Sequence, residues 1–278
     1  MGNTIELKIN TNLDSDREIS LPLSGVQSVT VNWGDGTQLQ TINNSKGPHS
    51  HTYATEGTYT ITITGSMIQF GNQCFDWKGS KMLTDVVSWD MDSLTSLAGA
   101  FKRASNLTSV PNMLPTNVVD LYGLFWCAAK FNDPNIINWD TAKITNMSNM
   151  FLCASEFNQP IGSWDVSNVT NTQNMFNQAD KFNQDISGWD LRSVMVAGSM
   201  FYHAKSFNGD ISGWDTSNIV NMRSMFEGAV AFNQDISGWD VSRVSDISNI
   251  TEGAVAFSYD IKGWKTNVIE DNDLDTPM

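Results

Sequence analysis

The sequence predicts a mainly β fold in two parts, a small β-sandwich followed by a solenoid of about seven 25-residue coils. Three observations predict it. Apolar residues alternate with polar ones through the first 70 or so positions, as half-buried strands require. A tryptophan recurs every 25 residues at Trp139, Trp164, Trp189, Trp214, Trp239 and Trp264. Hydrophobic residues make up 40% of the 278 and aromatics 10%, enough to fill a core.

The alternation gives the first strands in order: Ile5/Leu7/Ile9, Ile19/Leu21, Val29/Val31/Trp33, Leu39/Ile42 and Tyr59/Ile61/Ile63. Ser24-Gly25, Gly34-Asp35-Gly36, Gly47-Pro48 and Glu56-Gly57 supply the turns between them. The string Val31-Asn-Trp-Gly-Asp-Gly-Thr37, with His51-x-Tyr53 and Gly57-x-Tyr59 downstream, resembles the PKD-type immunoglobulin-like module. That resemblance implies a β-sandwich over residues 1–72.

Residues 73–264 read as the repeat. The clearest unit, Phe182-Asn-Gln-Asp-Ile-Ser-Gly-Trp-Asp190, recurs almost unchanged from Phe232 to Asp240. Its second half carries a Met-Phe pair, at Met150-Phe151, Met175-Phe176, Met200-Phe201 and Met225-Phe226. One 25-residue unit cannot bury so many apolar side chains alone, whereas stacked units place each on its own image. A short strand is expected at Asn183–Ser187 with Ile186 inward. Apolar residues at every third position (Ile144, Met147, Met150) suit a 3₁₀ or short α turn. Leu114-Pro115 in place of Trp-Asp, and Ile250-Thr251 in place of Met-Phe, mark divergent edge units. Residues 265–278 form an acidic tail that includes Glu270-Asp-Asn-Asp-Leu-Asp275. The repeat string resembles the 25-residue repeats of BspA-type leucine-rich-repeat surface proteins. The resemblance implies a leucine-rich-repeat-like solenoid and adhesion at a surface, and it carries over no catalytic residues.

Chemistry is sparse. Sixteen Lys and Arg against 30 Asp and Glu leave a net charge of −14, which disfavours a nucleic-acid partner. No run of about 18 apolar residues occurs, so no membrane insertion is expected, and the start shows no secretory signal. His49 and His51 form an H-x-H pair that could hold a metal through two imidazoles. With no nearby Cys to complete a set, a structural role for His51 is preferred. His203 reads as a surface variant of the place held by Arg103, Gln178 and Gly228. The aspartates after the repeat Trp (Asp90, Asp140, Asp165, Asp190, Asp215, Asp240) and a second column (Asp185, Asp210, Asp235, Asp260) could recruit Ca²⁺ or cap backbone turns. Without a glycine-rich calcium nonapeptide, capping is favoured. Cys127 and Cys153 fall on adjacent rungs, a spacing that fits a disulfide or two reduced thiols; Cys74 is left over either way. No catalytic, cofactor-binding or metal residue is nominated. The expectation is a noncatalytic recognition or adhesion protein, extracellular or at the cell surface, with a protein or glycan partner and an oligomer allowed. Its rivals are a phage virion component, such as a head fibre, decoration or tail protein, and a carbohydrate-active enzyme.

Overall fold

The computed structural model describes residues 3–43, 49–73 and 77–267. Gly47-Pro48, Cys74 and the acidic run from Glu270 lie outside the described residues. The chain is mainly β, and among the described residues helix is confined to short 3₁₀ segments at Thr11–Leu13, Ser80–Met82 and Pro134–Asn138.

Seven strands open the molecule: β1 (Asn3–Asn10), β2 (Glu18–Leu21), β3 (Leu23–Asn32), β4 (Gln40–Ile42), β5 (His49–Thr52), β6 (Thr58–Phe70) and β7 (Leu83–Met91). Five form an antiparallel sheet in the order β4-β3-β6-β1-β7, and β2 pairs with β5 in a second sheet. The alternation read from the sequence sets the burial: Ile5, Leu7 and Ile9 point inward from β1, opposite Ile63, Ile61 and Tyr59 of β6. Strand β7 was not foreseen. It lies past residue 72 yet lines up on β1, with Trp89 opposite Ile5. The first repeat tryptophan is thus also a sheet residue, and one apolar core runs from Ile5 to Ile250 without a break. Where the chain leaves β6, Gly71 has a left-handed φ of 127°, and a Cβ there would strike the Ala98 carbonyl.

Beyond β7, successive repeat units lie side by side through single parallel bridges, Asp120 to Asn146, Asn146 to Asn171, Asn171 to Val196, Val196 to Asn221 and Asn221 to Asp246. These bridges correct one expectation. Asn183–Ser187 is not a strand; the ladder runs instead through the Asn146–Asn171–Asn221 place. At Asp185 the carboxylate takes the Ser187 N–H and hydroxyl, folding the chain into a turn. The Asn183 N–H meanwhile goes to the Asn158 side chain of the preceding unit, 3.0 Å away. Ile186 is buried as expected.

The Met-Phe stretch forms three-residue turns, as the spacing suggests, but they do not join into a continuous helix. Met150, Leu152 and Ala154 donate to carbonyls three residues back, while Met147, Asn149, Phe151 and Cys153 donate to Asn171, Gln173, Met175 and Asn177 of the next unit. Each donor that turns outward needs a local reversal of the backbone, and Asn149 and Cys153 supply it with φ of 58° and 57°. The same pair recurs at Gly99/Arg103, Gly123/Cys127, Asn174/Gln178, Ser199/His203, Ser224/Gly228 and Asn249/Gly253. A right-handed helix cannot contain such residues, because it needs a negative φ at every position.

Inside the stack, aromatic rings continue from unit to unit. Phe125, Phe151, Phe176, Phe201 and Phe226 sit 5.6–5.7 Å apart by centroid, nearly parallel. A second file runs from Phe131 through Phe157, Phe182, Phe207 and Phe232 to Phe257. Offset stacking of this kind adds about 0.5–1.5 kcal/mol per pair to simple burial. The Trp column is buried with its polar end satisfied across the unit boundary. Trp189 Nε1 donates to the Ile161 carbonyl at 3.2 Å, and Trp164, Trp214 and Trp239 do the same to Ile136, Ile186 and Ile211. Where Leu114 replaces the tryptophan, Trp89 and Trp139 meet directly at 5.5 Å.

Candidate functional site

The residues that sequence reading singled out fall into three places. The first is the Trp33–Tyr59 motif. The His51 ring stacks on Trp33 at 4.9 Å and meets Tyr53 edge-on, and its Nε2 lies 2.7 Å from Asp35 Oδ2. Asp35 also accepts the N–H and hydroxyl of Thr37, and the Tyr53 hydroxyl donates to the Trp33 carbonyl. Burial alone would raise the Asp35 pKa, but hydrogen bonds from Thr37 and His51 outweigh it and bring it to about 2. The motif is therefore a lock between the turn after β3 and strand β5. His51 is committed to Asp35, which supports the structural role expected for it.

The second place is the aspartate columns, whose carboxylates turn back onto their own chain. Asp165, Asp190, Asp215 and Asp240 accept the backbone N–H two residues on, and Asp185, Asp210, Asp235 and Asp260 do likewise. In most of these turns a serine hydroxyl adds a second bond, as Ser167 does to Asp165 at 2.6 Å. Bonds to the charged form lower the carboxyl pKa: Ser167 for Asp165, Ser217 for Asp215, and Arg192 for Asp190, which falls to about 2. These hydrogen bonds are the capping geometry.

The third place was only half seen from the sequence. The second left-handed position of each unit carries Arg103, Cys127, Cys153, Gln178, His203, Gly228 and Gly253 in succession. The residue before it is Lys102, Trp126, Leu152, Asn177, Tyr202, Glu227 and Glu252. The residue two after is Ser105, Ala129, Ser155, Asp180, Lys205, Val230 and Val255. Between these variable files, the Phe and Ala files hardly change. Left-handed backbone turns the second-position side chain outward, and around the middle units it lines, with its variable neighbours, a groove of about 420 Å³ formed by Cys153, Ser155, Gln178, Asp180, Tyr202, His203 and Lys205. Lys205 Nζ pairs with Asp180 at 2.9 Å across the unit boundary, and the Tyr202 and His203 rings meet edge-on at 4.4 Å. The His203 ring lies over Gly228, where any Cβ would collide with it, so the glycine in the next unit makes room for the histidine. The groove offers an aromatic edge, an amide, a hydroxyl and an ion pair, a set suited to polar recognition. Sequence comparison of the units with one another held this signal, because one file varied where its neighbours did not. The backbone that turns it outward could not be read.

Among the described residues no group of three or more His, Cys, Asp or Glu side chains is placed to hold a metal, and no helix is long and apolar enough to cross a membrane. Stacked units of this length, joined through turns and single bridges, define a mainly β repeat protein. The chain belongs to the family described as "Mycoplasma protein of unknown function, DUF285", whose model matches residues 72–185, 95–210 and 189–274. No curated protein and no solved structure matches it.

Proposed function

We propose that this chain is a noncatalytic recognition protein: a leucine-rich-repeat-like solenoid of about seven coils, related to BspA-type surface repeats, capped by a PKD-like sandwich over residues 1–72. Its work is adhesion to a protein or glycan, at a cell surface or outside the cell. One observation carries this reading. The units hold their core files nearly constant while the outward file beside the groove changes from unit to unit, which is how a rigid scaffold displays a specific surface. The family match over the repeats and the lock among Trp33, Asp35, His51 and Tyr53 support the two parts of the architecture.

The test is direct. The full chain is immobilised and exposed to a glycan array and to a panel of purified extracellular-matrix proteins. Binding to at least one class is expected, and Tyr202→Ala with Lys205→Ala should weaken it at least about tenfold while the melting temperature holds. Silence across both panels, or binding indifferent to the groove variants, would refute the assignment.

A further inference from the structure

Cys127 and Cys153 hold the same place in successive units. Both have left-handed backbone with φ of 57°, so their side chains leave neighbouring segments in the same direction. The two segments are tied at this point, the Cys127 N–H donating to the Leu152 carbonyl at 2.7 Å. Equivalent residues on paired segments lie about 5 Å apart, inside the roughly 4.4–6.8 Å Cα separation that a disulfide spans. Both are reduced thiols, half-buried, and they are hydrogen-bonded to one another.

Their surroundings differ in a way that assigns roles. Cys127 shares a pocket with the cations Lys81 and Arg103 and with Asp14, which pairs with Lys81 at 3.4 Å. Cys153 lines the groove with Asp180, Lys205 and His203, where Asp180 already engages Lys205. A positive setting favours a thiolate. The hydrogen bond to Cys127 first, then burial and the Asp180 charge, push the Cys153 thiol well above its ordinary range. The raised Cys153 thiol therefore keeps its proton at neutral pH.

We propose that this pair is an oxidation site for hydroperoxides, with Cys127 the attacking sulfur and Cys153 the resolving one, and that the product is a disulfide stapling two repeat units. In the first step the Cys127 thiolate attacks the peroxide, the O–O bond breaks, an S–O bond forms, and the leaving oxygen takes a proton to become water. Cys127 is then a sulfenic acid, oxidised by two electrons. In the second step the Cys153 sulfur attacks it, the S–O bond breaks, and the hydroxyl departs with the Cys153 proton as a second water. Two thiols and one hydrogen peroxide give one disulfide and two waters. Cys153 also lines the groove, but the oxidation requires no ligand bound there.

The experiment uses the full chain with hydrogen peroxide as the oxidant. A Cys74→Ser variant confines the chemistry to the pair, and the unsubstituted chain is mapped in parallel in case that change disturbs folding. Peptide mapping without reduction should find the Cys127–Cys153 disulfide. The melting temperature should rise by about 5–10 °C and fall again on thiol reduction. In Cys153→Ser, dimedone should trap a sulfenic acid on Cys127, while in Cys127→Ser the Cys153 thiol should stay largely unmodified. Failure to form the disulfide in the folded chain under excess peroxide, crosslinking only through Cys74, or equal trapping on Cys153 would overturn the proposal.

Discussion

At the scale of single residues, the aspartates show how a strongly acidic chain avoids being torn by its own charge. Stacked carboxylates repel one another, yet each is held by bonds from its own turn before its neighbour is felt. Those bonds leave the folded pKa values of Asp165, Asp185, Asp190, Asp210, Asp215, Asp235 and Asp240 below the ordinary carboxylate value, that of Asp190 at about 2. A folded pKa below the unfolded one gives stability that is complete above about pH 4 and is lost as pH falls through the folded value. The melting temperature should therefore be flat from pH 7 to about 5 and drop between about 4 and 2. Chelator should leave it unchanged at neutral pH. Asp190→Asn keeps an oxygen acceptor for the Arg192 N–H, so it should be milder than Asp190→Ala and should lessen the acid sensitivity. A chelator-induced fall, abolished by Asp190→Asn, would replace caps with a bound cation. The capping bonds were legible because Asp followed two residues later by Ser is a local signal. The Asp35–His51 pair joins residues sixteen apart, and no local spacing in the sequence pointed to it.

At the scale of the element, the unit is a chain of turns bonded outward at alternate N–H groups. Its requirement for two left-handed residues was partly written in the sequence. The first place holds Gly99, Gly123, Asn149, Asn174, Ser199, Ser224 and Asn249, small or amide residues of the kind that enter this region at least cost. The second holds Arg103, Cys127, Gln178 and His203 beside glycines, and that mixture hid it. The every-third-residue apolar spacing matched the three-residue turns but could not show that they do not join into a helix. Turns closing over three residues bury the same positions as a 3₁₀ helix, so burial periodicity cannot tell them apart. Ser199 offers a clean test, with φ of 56° and its N–H donating to the Arg223 carbonyl at 2.8 Å. Ser199→Gly should stabilise by up to about 1 kcal/mol, since the relief of left-handed strain exceeds the added chain entropy. Ser199→Val, branched at Cβ, should destabilise by at least about 1 kcal/mol. Chemical denaturation of the two variants decides it, and equal stabilities would mean that the reversal is not needed to hold the next unit.

At the scale of the whole molecule, stability comes from repetition closed at one end by the sheet. The first repeat unit rests on β6, with the Phe70 N–H donating to the Ser96 carbonyl and the Thr95 N–H to Ile68. The sequence marked where the pattern changes, near residue 72. It gave no sign that the sheet reaches across this point, because the pairing of β7 with β1 depends on residues some eighty positions apart. Beyond that junction every interior unit meets an equivalent neighbour, and equivalence has a consequence for deletions. Removing Phe182 to Ser206 takes out one whole period and sets Phe207 where Phe182 stood. Phe157 would then face Phe207 in place of Phe182, Trp214 Nε1 would find the Ile161 carbonyl that Trp189 used, and Asn208 would take the Asn158 side chain in place of Asn183. The shortened chain should fold with an unchanged circular dichroism signal per residue and melt only slightly lower. Removing Phe182 to Val194 instead would put Met195 beside Lys181, sliding phenylalanine against tryptophan and aspartate caps against apolar files. That chain should lose its cooperative melt, because a polar group left buried without its partner costs about 1–3 kcal/mol and every file is broken at once. Equal folding of both deletions would mean that the files do not act as registered columns, and the outward face they hold in place would lose its physical basis.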